Sequence, residues 1–131
     1  MTDWARDALL EGFETTQIEF PDDYEGAVWA TLVRKAGMPP APRVVLYVHG
    51  FIDYFFQAHV AERFIAGGWR FYALDLRKHG RSMSAHQRPN FCKNLEEYFA
   101  DISRAVDLIL AEEGAGSIAL TGHSTGGLTC S

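Results

Sequence analysis

Six residues near the end of the chain, Gly122-His123-Ser124-Thr125-Gly126-Gly127, have the types and spacing that nucleophilic chemistry requires. Gly122 and Gly126 frame Ser124 in a G-x-S-x-G pattern, directly after the apolar run Ser117-Ile118-Ala119-Leu120-Thr121. This is the sequence of a nucleophile elbow, in which a strand turns sharply into a helix. The turn strains the serine backbone and leaves no room for side chains two residues to either side, a requirement that glycine meets. The hydroxyl then stands clear of the backbone, and the first amides of the new helix point at the space beside it. The chemistry in view is attack of the serine oxygen on a carbonyl carbon, with amide donors holding the negative charge that develops.

Such an elbow needs a buried strand before it and a sheet to stand in. The stretch from Ser117 to Thr121 supplies the strand. Upstream, Arg43 to Val48 is continuously apolar and β-branched, which suits a strand covered on both faces of a parallel sheet. It runs into His49-Gly50-Phe51-Ile52. Apolar residues at Phe56, Val60, Phe64 and Ile65 then predict a helix between Asp53 and Gly68, capped at its C-terminus by Gly67-Gly68. Arg70 to Leu76 reads as the next strand, which makes a βαβ unit with a right-handed crossover. After a polar loop over Arg77 to Asn90, Asn94 and Glu97 resemble a capping box. Leu95, Tyr98, Phe99, Ile102, Val106, Ile109 and Leu110 repeat at three and four, predicting a helix whose apolar stripe faces the core.

Before this alternation, Phe13 to Phe20 and Tyr24 to Arg34 read as an antiparallel pair, broken at Pro21-Asp22-Asp23 and ending in the proline-rich loop Gly37 to Pro42. Residues 1–12 read as a short helix or a loose arm with no chemistry of their own. The order predicts an α/β fold, a mostly parallel sheet with an N-terminal antiparallel hairpin, in one domain.

Composition narrows the function classes. The chain has 131 residues, of which 47% are hydrophobic and 22% charged, ordinary values for one globular core. A formal charge of -5 argues against a nucleic-acid surface, and Arg77, Lys78 and Arg81 are too few to form a basic stripe. No apolar stretch approaches a membrane span, and the first residues lack a secretory pattern, so a cytoplasmic protein is expected. Cys92 and Cys130 lack metal-ligand spacing and are expected to be reduced thiols. The histidines at 49, 59, 79, 86 and 123 form no metal-binding pair. No metal and no cofactor is expected.

Three motifs stand at strand ends in a fixed order: His49-Gly50-Phe51, then Asp75-Leu76-Arg77-Lys78-His79-Gly80-Arg81-Ser82, then Gly122-His123-Ser124-Thr125-Gly126-Gly127. This series resembles the N-terminal half of an α/β-hydrolase, closest to the branch of serine-aminopeptidase-like proteins, monoacylglycerol lipases and lysophospholipases. The resemblance implies that Ser124 is the nucleophile. It also implies that the backbone N-H groups of Phe51 and Thr125 are the oxyanion donors, with Gly122 and Gly126 as the elbow glycines. His49 and His123 are expected to be structural, and Asp75 and Arg77 to pair and hold their loop. Phe51, Phe55 and Phe56 either line an acyl site or belong to the core.

In that family the acid and then the histidine of the triad follow the serine, and only seven residues follow Ser124 here. The activity implied is hydrolysis of a carboxylic ester, such as a monoacylglycerol or lysophospholipid, through an acyl-enzyme. A peptidase-like amide hydrolase and a non-catalytic binding module remain as alternatives. Without the acid and base the isolated chain is expected to be almost inert, since losses near ~10⁶ follow when a triad is broken. A second polypeptide or a C-terminal half is expected to complete the sheet, or the exposed apolar edge at Ser117 to Thr121 to self-associate.

Overall fold

The computed structural model describes residues 4–7, 11–23, 26–39, 41, 43–48, 58–77, 80–82, 96–114 and 118–122. Among them run strands β1 (Ala5–Arg6), β2 (Phe13–Asp23), β3 (Gly26–Lys35) and β4 (Arg43–Val48). Helix α1 (Ala58–Ala66), β5 (Trp69–Asp75), a short 3₁₀ turn (Gly80–Ser82), α2 (Glu96–Glu113) and β6 (Ala119–Gly122) follow. The strands form a mixed sheet in the order β1-β2-β3-β5-β4-β6. The N-terminal strands and the β3–β5 pair are antiparallel, while β4 is parallel to both β5 and β6.

The unbroken apolar character of β4 has a direct cause. Val44, Leu46 and Val48 enter the core beneath α2, whereas Val45 enters the core beneath α1. In β5, Tyr72 and Leu74 likewise face α2, while Phe71 and Ala73 face α1. Both faces are covered, so the alternation of a one-sided sheet disappears. The two helices lie on opposite faces because β5 and β6 flank β4 on opposite sides. Two right-handed crossovers running in opposite directions cannot share a face.

The α1 ending matches its Gly67-Gly68 signal. Gly68 has φ +89 and donates its amide to the Ile65 carbonyl at 3.1 Å, a left-handed turn that glycine enters without steric cost. Along α2, Ile102, Ala105 and Ile109 are buried. Phe99, expected in the same stripe, is 48% exposed instead. It sits about 60° round the helix from Ile102 at 3.6 residues per turn, outside the line that meets the sheet. The capping-box residue Asn94 lies outside the described residues.

Two expectations for the N-terminal part are corrected. Pro21 does not end its strand, because β2 continues to Asp23 with a register shift between Phe20 and Asp23. Proline lacks a donor, and a bulge accommodates that loss; among the described residues β1 pairs with Glu14 and Thr15 and does not extend to Pro21. Nor are residues 4–7, the described part of the first ten, a helix or a loose arm. Ala5 and Arg6 pair with Thr15 and Glu14, and Trp4 packs against the core, 6.2 Å from the Tyr72 ring.

Tyr72 joins the sheet to α2. Its side chain is fully buried, and its hydroxyl donates to Glu113. Glu113 also receives both Nε and Nη2 of Arg70, at 3.0 and 2.9 Å. Burial first, and the bond to Glu113 second, push the Tyr72 hydroxyl up to about 12, against a smaller lowering by Arg34. The sign of the linkage follows. The unfolded chain releases this proton near ~10 while the folded chain keeps it, so stability is fully present below pH ~10 and falls as pH rises toward ~12. Over that window urea unfolding is expected to lose on the order of 2 kcal/mol. Tyr72→Phe should flatten the loss; an unchanged alkaline slope in that variant would rule the hydroxyl out as its source.

Candidate functional site

The register of the parallel strands sets three strand ends level. Val48 pairs with Leu74 on one side and with Gly122 on the other. The chain therefore leaves β5, β4 and β6 at one height, on neighbouring strands about 4.8 Å apart. The connection from β4 passes over one face through α1, and that from β5 passes over the other through α2. In an open α/β sheet, a reversal of this kind opens a crevice outside the carboxyl ends of the strands, where ligands bind.

All three motifs leave from this row. Gly122, the first elbow glycine, is the last residue of β6. Ser124, Thr125 and Gly126 lie outside the described residues, as do His49, Gly50, Phe51, Phe55, Phe56 and His123. The spacing relative to the register is nonetheless fixed. Phe51 stands three residues beyond Val48, and Thr125 three beyond Gly122, its paired residue. Phe51 and Thr125 thus belong to segments that start from paired residues and have equal lead lengths.

The third motif is largely described. Asp75 ends β5 and is fully buried. It was expected to pair with Arg77; its partner is Arg81 instead, through Nη1 at 2.9 Å and the main-chain N-H at 3.1 Å. Chain direction explains the difference. Past the strand end, Arg77 faces α2, where its N-H, Nε and Nη2 reach the Asp101 carboxylate at 2.8, 2.8 and 2.7 Å. The 3₁₀ turn folds back, which Gly80 opens, and returns Arg81 to Asp75. Ser82 seals the turn: its hydroxyl donates to the Asp75 carbonyl at 2.7 Å and lies 2.9 Å from Thr31 Oγ1. The Trp29 indole N-H adds a bond to the Arg81 carbonyl at 3.1 Å.

Arg81 has a second carboxylate. Nε and Nη2 donate to Asp7 at 2.9 and 2.7 Å, a bidentate pair with side chains 7% and 3% exposed. Burial lowers the guanidinium's pKa, but the bonds from Asp7 and Asp75 outweigh it and leave the group above its ordinary value. Arg77 and Arg81 therefore serve buried carboxylates and present no basic surface.

Asp7 and Asp101 escaped the sequence reading. Asp101 had a usable signal, an acid within the apolar stripe four residues before Ala105 and eight before Ile109. Such a position requires a buried partner. Asp7 lies in an unpatterned polar stretch and had none. An open cavity of about 400 Å³ lined by His59, Val60, Arg63, Phe64, Gly67 and Trp69 lies beside α1 near the start of β5, away from the strand ends.

A doubly crossed sheet with this strand order is that of an α/β-hydrolase fold. Solved structures agree. An epoxide hydrolase from Vigna radiata superposes with TM-score 0.67 at 22% identity, over 95% of this chain and 34% of its own. A cold-adapted esterase from an Arctic intertidal metagenomic library gives 0.60 at 20%, over 99% and 58%. The thioesterase domain from the curacin biosynthetic pathway gives 0.63 at 26%, over 89% and 39%. The chain thus spans between about a third and three-fifths of these neighbours. No curated protein sequence matches it. The family model for serine aminopeptidase, S33, matches residues 39–131, and the chain belongs to that family of hydrolases.

Removal of one partner from a buried pair strands the other charge, at a typical cost of about 3–5 kcal/mol. Asp101→Ala is expected to destabilise the chain by that amount in urea unfolding. A loss below ~1 kcal/mol, the range of an exposed pair, would show that the Arg77 tie contributes little to stability.

Proposed function

We propose that this chain is the nucleophile-bearing part of a serine hydrolase that cleaves carboxylic esters, of the monoacylglycerol or lysophospholipid type, through an acyl-enzyme. The observation that carries the reading is the level pairing of Val48 with Gly122, which starts the segments holding Phe51 and Ser124-Thr125 side by side. In this reading the Ser124 oxygen attacks the ester carbonyl and its proton passes to a histidine base. The N-H groups of Phe51 and Thr125 hold the oxyanion. Collapse of the intermediate expels the alcohol, which takes the proton from the base, and water then releases the acid by the same path in reverse order.

The base and its orienting acid belong, on this proposal, to the polypeptide that completes the sheet beside β6. Among the described residues β6 pairs with β4 alone, and Leu120 is 43% exposed. An edge of this kind invites a further strand, whether from a C-terminal half, a second polypeptide or another copy. No helix among the described residues is long and apolar enough to cross a membrane. Amide hydrolysis is the second reading, favoured by the family's serine aminopeptidase members.

Intact-mass spectrometry before and after a fluorophosphonate probe, with Ser124→Ala alongside, tests the proposal. We expect one adduct on this chain, lost in the variant, in a sample that also holds the residues completing the triad. An unlabelled chain in such a sample would reduce the enzyme reading to ancestry and favour a binding module. In the labelled protein, Phe51→Pro should slow acylation about 10²–10³-fold by removing an amide donor, whereas Phe51→Ala, which keeps the amide, should have little effect.

A further inference from the structure

We infer that Asp7 and Arg81 are positioning residues for the hydrolytic site, a clamp through which the start of the chain sets the catalytic end of β5. The inference rests on the serine-hydrolase reading above. It begins from where the bonds converge. A guanidinium presents its N-H groups in a rigid planar fork. In Arg81 one side of that fork meets both oxygens of Asp7, at 2.9 and 2.7 Å, and the other meets Asp75 at 2.9 Å. Asp7 is in turn fixed to the sheet, since its N-H donates to the Phe13 carbonyl at 2.9 Å and Ala5 and Arg6 pair with β2. The clamp therefore runs from β2, through Asp7 and Arg81, to the last residue of β5.

That last residue sits where catalysis would feel it. Asp75 follows Leu74, which is level with Val48 and Gly122, the residues from which the two segments assigned to catalysis in this proposal depart. Upstream of Asp75, the body of β5 is held independently by ladders to β3 and β4 and by a fully buried core of Phe71, Tyr72, Ala73 and Leu74. The strand does not need Asp7 to exist. The β3 ladder reaches Asp75 itself through Thr31, so what it leaves open is the direction in which the chain departs beyond that residue, and Arg81 ties the departing turn to a second, distant part of the sheet. Misplacement by about 1 Å around a reacting group can cost about 100-fold in rate.

The test is saturation kinetics of fluorophosphonate labelling on the full protein, for Asp7→Asn, Arg81→Lys and the conservative Asp7→Glu. We expect the limiting acylation rate to fall about tenfold in Asp7→Asn and Arg81→Lys, as for loss of a charge-assisted bond. Half-saturation should stay within about twofold, since binding contacts are untouched, and Asp7→Glu should recover most of the rate. Hydrogen exchange should quicken at residues 49–51, 75–82 and 123–125 and remain unchanged at Ile102 to Ile109, which separates positioning from general destabilisation. A limiting rate equal to that of the unmodified protein overturns the inference while the labelling itself upholds the enzyme reading. If neither protein labels, the exchange comparison decides: equal protection at those three segments overturns the clamp.

Discussion

Burial of β4 is the constraint on which the rest of this structure depends. A strand with valine or leucine on both faces and partners at both edges must be covered twice and paired twice. The chain meets that demand by crossing to β5 over one face and returning to β6 over the other. The reversal is a packing solution, yet its by-product is functional. It brings three carboxyl-terminal strand ends to one height, the end of an open α/β sheet at which ligands bind. The ends of β4 and β6, Val48 and Gly122, are placed by the same requirement that buries Val44, Val45, Leu46 and Val48.

Charge is used inward. A chain with a formal charge of -5 assigns its arginines to buried or half-buried acids: Arg77 to Asp101, Arg81 to Asp7 and Asp75, Arg70 to Glu113, and Arg34 to Glu14 and Glu112. Pairs of this kind return little net stability compared with well-packed apolar groups, because desolvation opposes attraction. Their yield is in direction. Arg70, Arg77 and Arg81 each meet a carboxylate through two guanidinium nitrogens, which fixes both distance and angle; these pairs join the ends of β5 to α2 and to the N-terminal segment, whereas Arg34 and Glu14 are cross-strand partners within the β2–β3 ladder.

Much of the fold was legible because burial writes itself into residue type. Continuous β-branched residues marked β4, the Gly67-Gly68 signal marked the end of α1, and the elbow pattern marked the end of β6. Apart from Phe99, which helix geometry turns outward, the errors share a cause: they fall where a distant partner overrides a local signal. Pro21 breaks a strand in isolation, but pairing with β3 on both sides of a bulge carries the strand past it. Asp75 has Arg77 two residues away, but the turn presents Arg81. The start of the chain looks structureless until Trp4 finds Tyr72 and Asp7 finds Arg81. Of the candidate site, the level strand ends follow from patterning, whereas the network behind them depends on pairs up to 74 residues apart, which no window along the sequence contains.

The C-terminus of α2 carries a consequence of another kind. Its last turn holds Glu112 and Glu113 and no basic residue, so two negative charges sit at the negative end of the helix dipole, where they favour fraying. On the sheet the same carboxylates meet Arg34 and Arg70 and the Trp4 and Tyr72 donors. The helix is thus written to be unsatisfied alone and satisfied only on contact. This makes α2 poor as an autonomous folding unit, and it ties the completion of the helix to the assembly of β3 and β5, so that neither part reaches its final order much before the other.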